Sequence, residues 1–271
     1  MKFRILMALA ALCAAQIAAA AELFPNDSPR QFALADKLEA DATIGGYAVW
    51  NGEGKWRLSD LELTASTGSS ESIPLGAARF FQTEGKNLVA VMEVRSNLRS
   101  GNGFWTGEPC KRDDMLFKLQ LAGGREDNCL AINHIASYMS NPGGKAAETY
   151  ALLKEQGIEI PPTVIAITVT RNASSLRRLV YTLWVNPEVV GLPRETEPNW
   201  GRNPWNKTMS FNDPAKKQFI DQLISWSKKF QTSVDLALNR KQDPYQGITS
   251  WRNGIDVTSK SEAVKTKVTL D

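Results

Sequence analysis

The chain is poor in the residues that build metal and redox sites, with one histidine, His134, and three cysteines among 271 residues. Zinc needs three or four cysteine, histidine or carboxylate ligands, so we expect neither a bound metal nor a cofactor. The sequence has no Cys-x-x-Cys motif of the thioredoxin type and no Gly-x-Ser-x-Gly turn that would expose a serine nucleophile. We therefore interpret His134 as a hydrogen-bonded structural residue rather than a catalytic base.

Long apolar runs, internal repeats and a strong charge imbalance are also missing. After residue 21 no uninterrupted apolar stretch reaches the roughly 20 residues that cross a bilayer, which argues against an integral membrane segment. No unit of about 20 to 50 residues repeats, and this excludes solenoids and propellers. Lys and Arg number 32 against 29 Asp and Glu. Because nucleic-acid binding requires basic side chains gathered on one surface, we expect no nucleic-acid partner.

The amino-terminal segment predicts a secretory signal peptide. Lys2 and Arg4 precede the apolar residues 5–17, and residues 18–21 are the small alanines that signal peptidase needs before its cut. Leu12, rather than a small residue, precedes Cys13, which disfavours a lipoprotein. We expect residues 1–21 to be cleaved and the mature protein to be periplasmic or secreted.

Cleavage would leave two cysteines, Cys110 and Cys129. Exported proteins fold in an oxidising compartment, so this pair predicts a disulfide, which would stabilise the fold by about 3 kcal/mol. Apolar and polar residues alternate over residues 117–121, which predicts a hairpin that turns near residues 123–126. A straight strand would place the two cysteines more than about 25 Å apart. The bond therefore predicts a tight reversal within residues 110–114, with Asp113 or Asp114 bonded to its own backbone.

Strand patterns occur in both halves of the chain. Short strand-like runs separated by glycine-rich turns begin at Tyr47. Residues 88–94, LVAVMEV, are largely apolar at both odd and even positions, which predicts a central strand covered on both faces. Residues 163–171 and 177–187 are β-branched and aromatic runs of similar length, typical of a hairpin.

Three segments predict helices. Residues 28–45 carry apolar residues on one side and indicate a short amphipathic helix. Residues 145–156 are rich in helix formers and precede Gly157, a favoured residue at helix ends. Asp213 and Pro214 are typical of a helix start. After them a core-facing stripe recurs at spacings of three and four over roughly seven turns: Phe219, Leu223, Trp226, Phe230, Val234 and Leu238.

These patterns predict an α+β fold, a largely antiparallel sheet packed by helices, with the long amphipathic helix near the carboxyl terminus. We assign residues 22–243 to a single domain. Residues 244–271 are a polar extension in which an Asn-Gly turn and an alternating segment predict a hairpin or an edge strand. A flexible tail is the alternative.

Two loop segments are the candidate binding sites, because rigid loops with aromatic and charged side chains often hold ligands. The first adjoins the predicted disulfide, and the second lies between prolines and glycine. The first could instead be a solvated turn with internal ion pairs, and the second could fold its rings onto the core. The candidate residues are Trp105, Arg112, Asp113 and Asp114 in the first loop, and Trp200 and Trp205 in the second.

The favoured hypothesis is an exported, non-catalytic binding or accessory protein whose partner is an unknown protein or glycan of the cell envelope. The alternative is a hydrolase of cell-envelope glycans, with Glu108, Asp113 or Asp114 among its carboxylates. A hydrolase needs a concave pocket with one desolvated carboxyl group whose pKa is raised. That requirement distinguishes the two hypotheses.

Overall fold

A computed structural model of the chain describes residues 21–33, 35–39, 41–52, 54–65, 73–100, 108–122, 126–138, 140, 145–173, 177–253 and 255. Nearly all of the predicted signal peptide lies outside the described residues, and so do Trp105 and residues 256–271. The hypotheses that concern these segments remain predictions.

Most of the strands in the described residues belong to one antiparallel sheet. Its spatial order is β3-β4-β5-β9-β8-β7-β6, while the short β1 and β2 pair with each other. The predicted α+β fold with a largely antiparallel sheet is confirmed. The strands are β1 (Thr43–Ile44), β2 (Tyr47–Ala48), β3 (Arg57–Ala65), β4 (Pro74–Glu84), β5 (Asn87–Asn97), β6 (Phe117–Ala122), β7 (Asn128–Ile135), β8 (Val164–Asn172) and β9 (Arg178–Val185).

The strand order confirms two specific predictions. β5 lies between β4 and β9, and its residues from Leu88 to Val94 are all buried. This confirms the prediction that the strand is covered on both faces. β8 and β9 form the predicted hairpin, with Ile165 opposite Val185 at one end. The β-branched and aromatic residues of these strands suit the pleated, buried surface that they occupy.

The helices in the described residues are α1 (Glu108–Lys111), α2 (Lys145–Glu155), α3 (Lys207–Ser210) and α4 (Pro214–Leu238). α2 confirms the predicted helix, and Gly157 follows it with a φ of 66°, a left-handed conformation that glycine adopts without steric cost. α4 confirms the long helix. Oδ1 of Asp213 accepts hydrogen bonds from the backbone nitrogens of Ala215 and Lys216, so this side chain caps α4 as predicted.

The helix predicted for residues 28–45 is wrong. The described part of this segment is extended or turned, and its backbone bonds to the strand edge at β3. The backbone nitrogen of Ala35 donates to the carbonyl of Leu58 at 2.8 Å, and that of Leu38 donates to the carbonyl of Trp56 at 2.9 Å. An open strand edge offers such partners, and here they replace the internal hydrogen bonds of a helix.

The two faces of the sheet differ, because successive side chains of a strand point to opposite sides. One face is apolar, and the other, which we call the polar face, carries a smaller apolar cluster beside charged side chains. α4 covers the apolar face, where Phe219, Leu223 and Phe230 are buried in the main core. Trp226 of the predicted stripe is partly buried and stacks on Phe230, with 5.0 Å between ring centroids. On the opposite, polar face, α1 contacts β6 and β7, and α2 contacts β3.

Residues 244–253 form turns that pack against α4 and the sheet. Trp251 is buried, and the hydroxyl groups of Tyr245 and Tyr181 lie 2.7 Å apart. Nε1 of Trp226 donates to the carbonyl of Thr249 at 3.0 Å. This part of the predicted extension therefore contributes to the core, while the alternating segment predicted as an edge strand lies outside the described residues.

Candidate functional site

The predicted disulfide and chain reversal are both present. Cys110 and Cys129 are bonded, with their Cα atoms 5.9 Å apart. Cys110 belongs to α1, and the chain bends directly after this helix before it enters β6. The two cysteines form a small apolar cluster with Met115 and Ala131. Because Cys129 lies opposite Gln120 in the β6–β7 hairpin, the bond ties α1 to both strands.

The charged residues of the first predicted loop neutralise one another. Arg112 donates two hydrogen bonds to the carboxylate of Asp114, and Lys118 donates to Asp113 at 2.7 Å. These hydrogen bonds, more than any other cause, hold the pKa of both aspartates below the usual value. The side chain of Asp113 is 97% exposed. Neither aspartate has the raised pKa expected of a general acid, and the side chain of Glu108 is outside the described residues.

The tryptophans of the second predicted loop fold back onto the protein. Trp205 is fully buried and packs edge-on against Phe219, with 5.6 Å between ring centroids. Trp200 is partly buried and stacks on His134, with 4.8 Å between centroids. The carbonyl of Trp200 also lies 3.0 Å from Nε2 of His134. Trp205 therefore belongs to the core, and His134 is buried between its strand and the second loop.

The two predicted loops lie next to each other. Nζ of Lys207 donates to the backbone oxygen of Asp113 at 3.4 Å, and Asp114 exerts an electrostatic effect on His134. Their side chains are nevertheless engaged in ion pairs and core packing. This region resembles a stiffened surface more than a ligand cavity.

A pocket of about 360 Å³ opens on the polar face of the sheet. We call it the polar-face pocket. Its residues come from β4, β5, the end of β7 and the turn that follows it, α2 and β9. They are Arg79, Val91, Glu93, Arg95, Ile135, Ser137, Tyr138, Ser140, Ala146 and Trp184.

A chain of ion pairs crosses the floor of the polar-face pocket. Nη2 of Arg79 lies 2.6 Å from one oxygen of Glu93, and Nε of Arg95 lies 2.6 Å from the other. Nη1 of Arg79 also lies 3.5 Å from Asp60. The pairing follows from sheet register, since Arg79 is directly opposite both Asp60 and Glu93. Only Arg95 is substantially accessible, with 55% of its side chain exposed against 10% or less for the other three.

Burying such charges costs free energy that their mutual attraction offsets only when the geometry is good. Apolar residues of similar volume could occupy the same strand positions without that cost. Buried charges beside a concave surface are therefore a candidate for function.

The walls of the polar-face pocket are aromatic, aliphatic and hydroxyl-bearing. The rings of Tyr138 and Trp184 lie 6.3 Å apart, and Val91 is directly opposite Trp184 in the sheet. Burial raises the pKa of Tyr138, so its hydroxyl group remains protonated and able to donate a hydrogen bond. Ile135 is exposed at the pocket, an unusual position for a large apolar side chain at the end of a strand.

The sequence contains a weak signal for this pocket. Arg79 lies within AARFFQT and Glu93 within LVAVMEV, so each strand carries one charge inside an otherwise apolar run. Charged residues are almost never fully buried unless they are paired. Two such charges on neighbouring strands indicate a buried pair, although the sequence leaves the register between the strands open.

Within the described part of the chain, no group of three histidine, cysteine, aspartate or glutamate residues could hold a metal ion. No helix of that part is both long enough and apolar enough to span a membrane. No known protein family, curated protein or solved structure matches this chain.

Proposed function

We propose that this protein is a non-catalytic binding protein that holds its ligand in the polar-face pocket. The observation that carries the proposal is the pocket itself, in which the accessible side chain of Arg95 pairs with a buried ion network and aromatic and aliphatic residues complete the lining. Ligand pockets are usually mostly apolar, enclose about 300 to 1,000 Å³ and contain a few fixed polar groups. The polar-face pocket has this size and composition.

We further propose that the protein works in the periplasm or outside the cell, and that the ligand comes from the cell envelope. The disulfide between Cys110 and Cys129 supports an oxidising compartment, and the leader-like residues 1–21 agree with export. The ligand is either a small molecule or the exposed end of an envelope protein or glycan.

The loop carboxylates give little support to the hydrolase alternative. A general acid of a glycosidase has a raised pKa, whereas the pKa values of Asp113 and Asp114 are lowered by their basic partners.

A photo-crosslinking amino acid at Ser140 tests the proposal in the cell. This exposed residue lines the polar-face pocket, so activation by light should attach whatever occupies it. Ala146→Trp, a substitution of another lining residue, should fill the pocket and abolish the adduct.

Ala147→Trp is the matched control, because Ala147 lies on the same helix but is not one of the described residues that line the pocket. It should leave the adduct unchanged. Recovery of the same adduct from the Ala146→Trp variant, or of none from the parent protein, would contradict the proposal.

A further inference from the structure

We propose that the ligand of the polar-face pocket carries a carboxylate next to a small apolar or aromatic group, and that Arg95 binds the carboxylate. The inference rests on the proposed binding function and adds the chemical class of the ligand. It depends on three features: the fixed position of Arg95, a second arginine beside it, and the apolar residues that line the same pocket.

Arg95 is held in place by its partner on the same strand. Its Nε lies 2.6 Å from Oε1 of Glu93, whose other oxygen is engaged by Arg79. An arginine side chain has five N–H donors in a rigid fork, and this ion pair uses the donor nearest the strand. The two terminal nitrogens take no part in this ion pair, and 55% of the side chain is exposed. A preorganised fork of this kind suits a carboxylate, which accepts two parallel hydrogen bonds.

The most accessible charged side chain of the ion network is a basic one. Asp60 and Glu93 are almost fully buried beneath their arginine partners, while 55% of the Arg95 side chain is exposed. A cationic ligand would therefore meet the guanidinium group before either carboxylate.

A second basic residue lies close to Arg95. Arg178 and Arg95 both line a smaller cavity of about 180 Å³ that adjoins the polar-face pocket at Arg95, and Glu62 lines it as well. Burial lowers the pKa of Arg178 to about 10, the positive charge of Arg95 contributes to the shift, and Asp127 opposes it. The repulsion between the two guanidinium groups would fall if an anion bound at Arg95.

The apolar lining of the polar-face pocket would receive the rest of the ligand. Val91, Ile135 and Trp184 provide an apolar surface, and Ser137 and Tyr138 also line the pocket. An aromatic ring or a short alkyl chain attached to the carboxylate would cover this surface. Burial of that apolar area adds to the affinity that the charge alone provides.

The test compares phenylacetate with its neutral isostere, phenylacetamide, by ligand-observed NMR titration of the full exported protein. Both probes present the same ring, and only the first carries a charge. A charge-assisted, bidentate hydrogen bond should make phenylacetate bind about tenfold more tightly. Arg95→Gln should remove most of this preference.

Arg99→Gln is the matched control for Arg95→Gln. Arg99 has a similar exposure, 65%, and also forms one close ion pair, with Asp27 at 2.7 Å, but it lines neither of the two cavities. Its substitution should leave the preference intact. Arg95→Lys keeps the charge without the planar fork, so it should weaken phenylacetate binding and retain a smaller preference. This variant serves as the test if Arg95→Gln does not fold.

A tripeptide that ends in phenylalanine identifies the source of the carboxylate. Binding tighter than that of phenylacetate indicates a peptide carboxyl terminus, and weaker binding indicates a free organic acid. Both results agree with the inference.

Equal affinity for phenylacetate and phenylacetamide would overturn the carboxylate inference and leave the pocket as the binding site. A preference for phenylacetate that survives Arg95→Gln would place the carboxylate at another residue and would also overturn it. Failure of both probes to bind the parent protein would overturn the inference as well. The crosslinking result at Ser140 would still decide the proposed function separately.

Discussion

At the scale of single residues, His134 combines burial with an incomplete set of hydrogen bonds. Its Nε2 donates to the carbonyl of Trp200, so the neutral ring leaves Nδ1 as an acceptor. Nδ1 is buried and has no hydrogen-bond partner among the described residues. Protonation would create a second buried N–H group without an acceptor. Burial accordingly lowers the pKa of His134, although the Trp200 carbonyl and Asp114 oppose the shift.

This geometry predicts a loss of stability in mild acid. Below the unfolded pKa of about 6.5, the unfolded chain binds a proton at His134 that the folded protein does not, so the free energy of unfolding falls as the pH falls. Urea unfolding between about pH 7.5 and pH 5.5 measures the effect. His134→Gln should flatten the dependence, because the chain has no other histidine. Parallel curves for the two proteins would refute this account of His134.

Glu93 provides a second prediction at the residue scale. Glu93→Gln would leave Arg79 buried with its closest ion pair broken, so it should lower the free energy of unfolding by about 3 kcal/mol. Glu84→Gln is the control, since Glu84 pairs with Arg252 at the same distance of 2.6 Å but is 67% exposed. Its cost should be less than about 1 kcal/mol. Equal costs in chemical denaturation would show that the network is not effectively buried.

At the scale of secondary-structure elements, the disulfide connects α1 with the β6–β7 hairpin at one side of the polar face. The bond closes a loop with a sequence separation of 19 residues. Without it, α1 would keep only the contacts of a single helical turn, because an isolated helix of this length is not stable.

Replacement of both cysteines by serine should therefore reduce the free energy of unfolding by about 3 kcal/mol. Chemical denaturation under non-oxidising and oxidising conditions measures this difference. Reduced parent protein should unfold at the same denaturant concentration as the Cys110→Ser/Cys129→Ser variant. If removal of the bond left stability unchanged, the structural role given to the disulfide would be wrong.

The elements also show which sequence signals are reliable. Features that depend on neighbouring residues are predicted correctly from the sequence. They are the helix cap at Asp213, the helix end at Gly157 and the hairpin of β8 and β9. The helix predicted for residues 28–45 fails because its alternative partner is distant in the chain: Leu58 and Trp56 accept the hydrogen bonds of Ala35 and Leu38. A local sequence pattern does not show that a distant strand edge will compete for the backbone hydrogen bonds of a predicted helix.

At the scale of the whole molecule, the two faces of the sheet differ in composition. The apolar face carries α4 and most of the core, while the opposite face carries Arg79, Glu93 and Arg95. The candidate residues predicted from the sequence lie on two loops, because rigid loops with aromatic and charged side chains often hold ligands. The polar-face pocket could not be predicted in the same way, because it requires the strand order and register that bring β4, β5, the end of β7 and β9 together.

The central claim is that this pocket is the ligand site, and methyl NMR spectra recorded with a set of small organic acids, amides and sugars test it most directly. Compounds that bind should shift the methyl signals of Val91, Ile135 and Ala146, which line the pocket. The signals of Leu121, near the disulfide, and of Ile248, in the groove beside α4, should stay in place. Shifts concentrated at Leu121 or Ile248, with the pocket methyls unchanged, would contradict the claim.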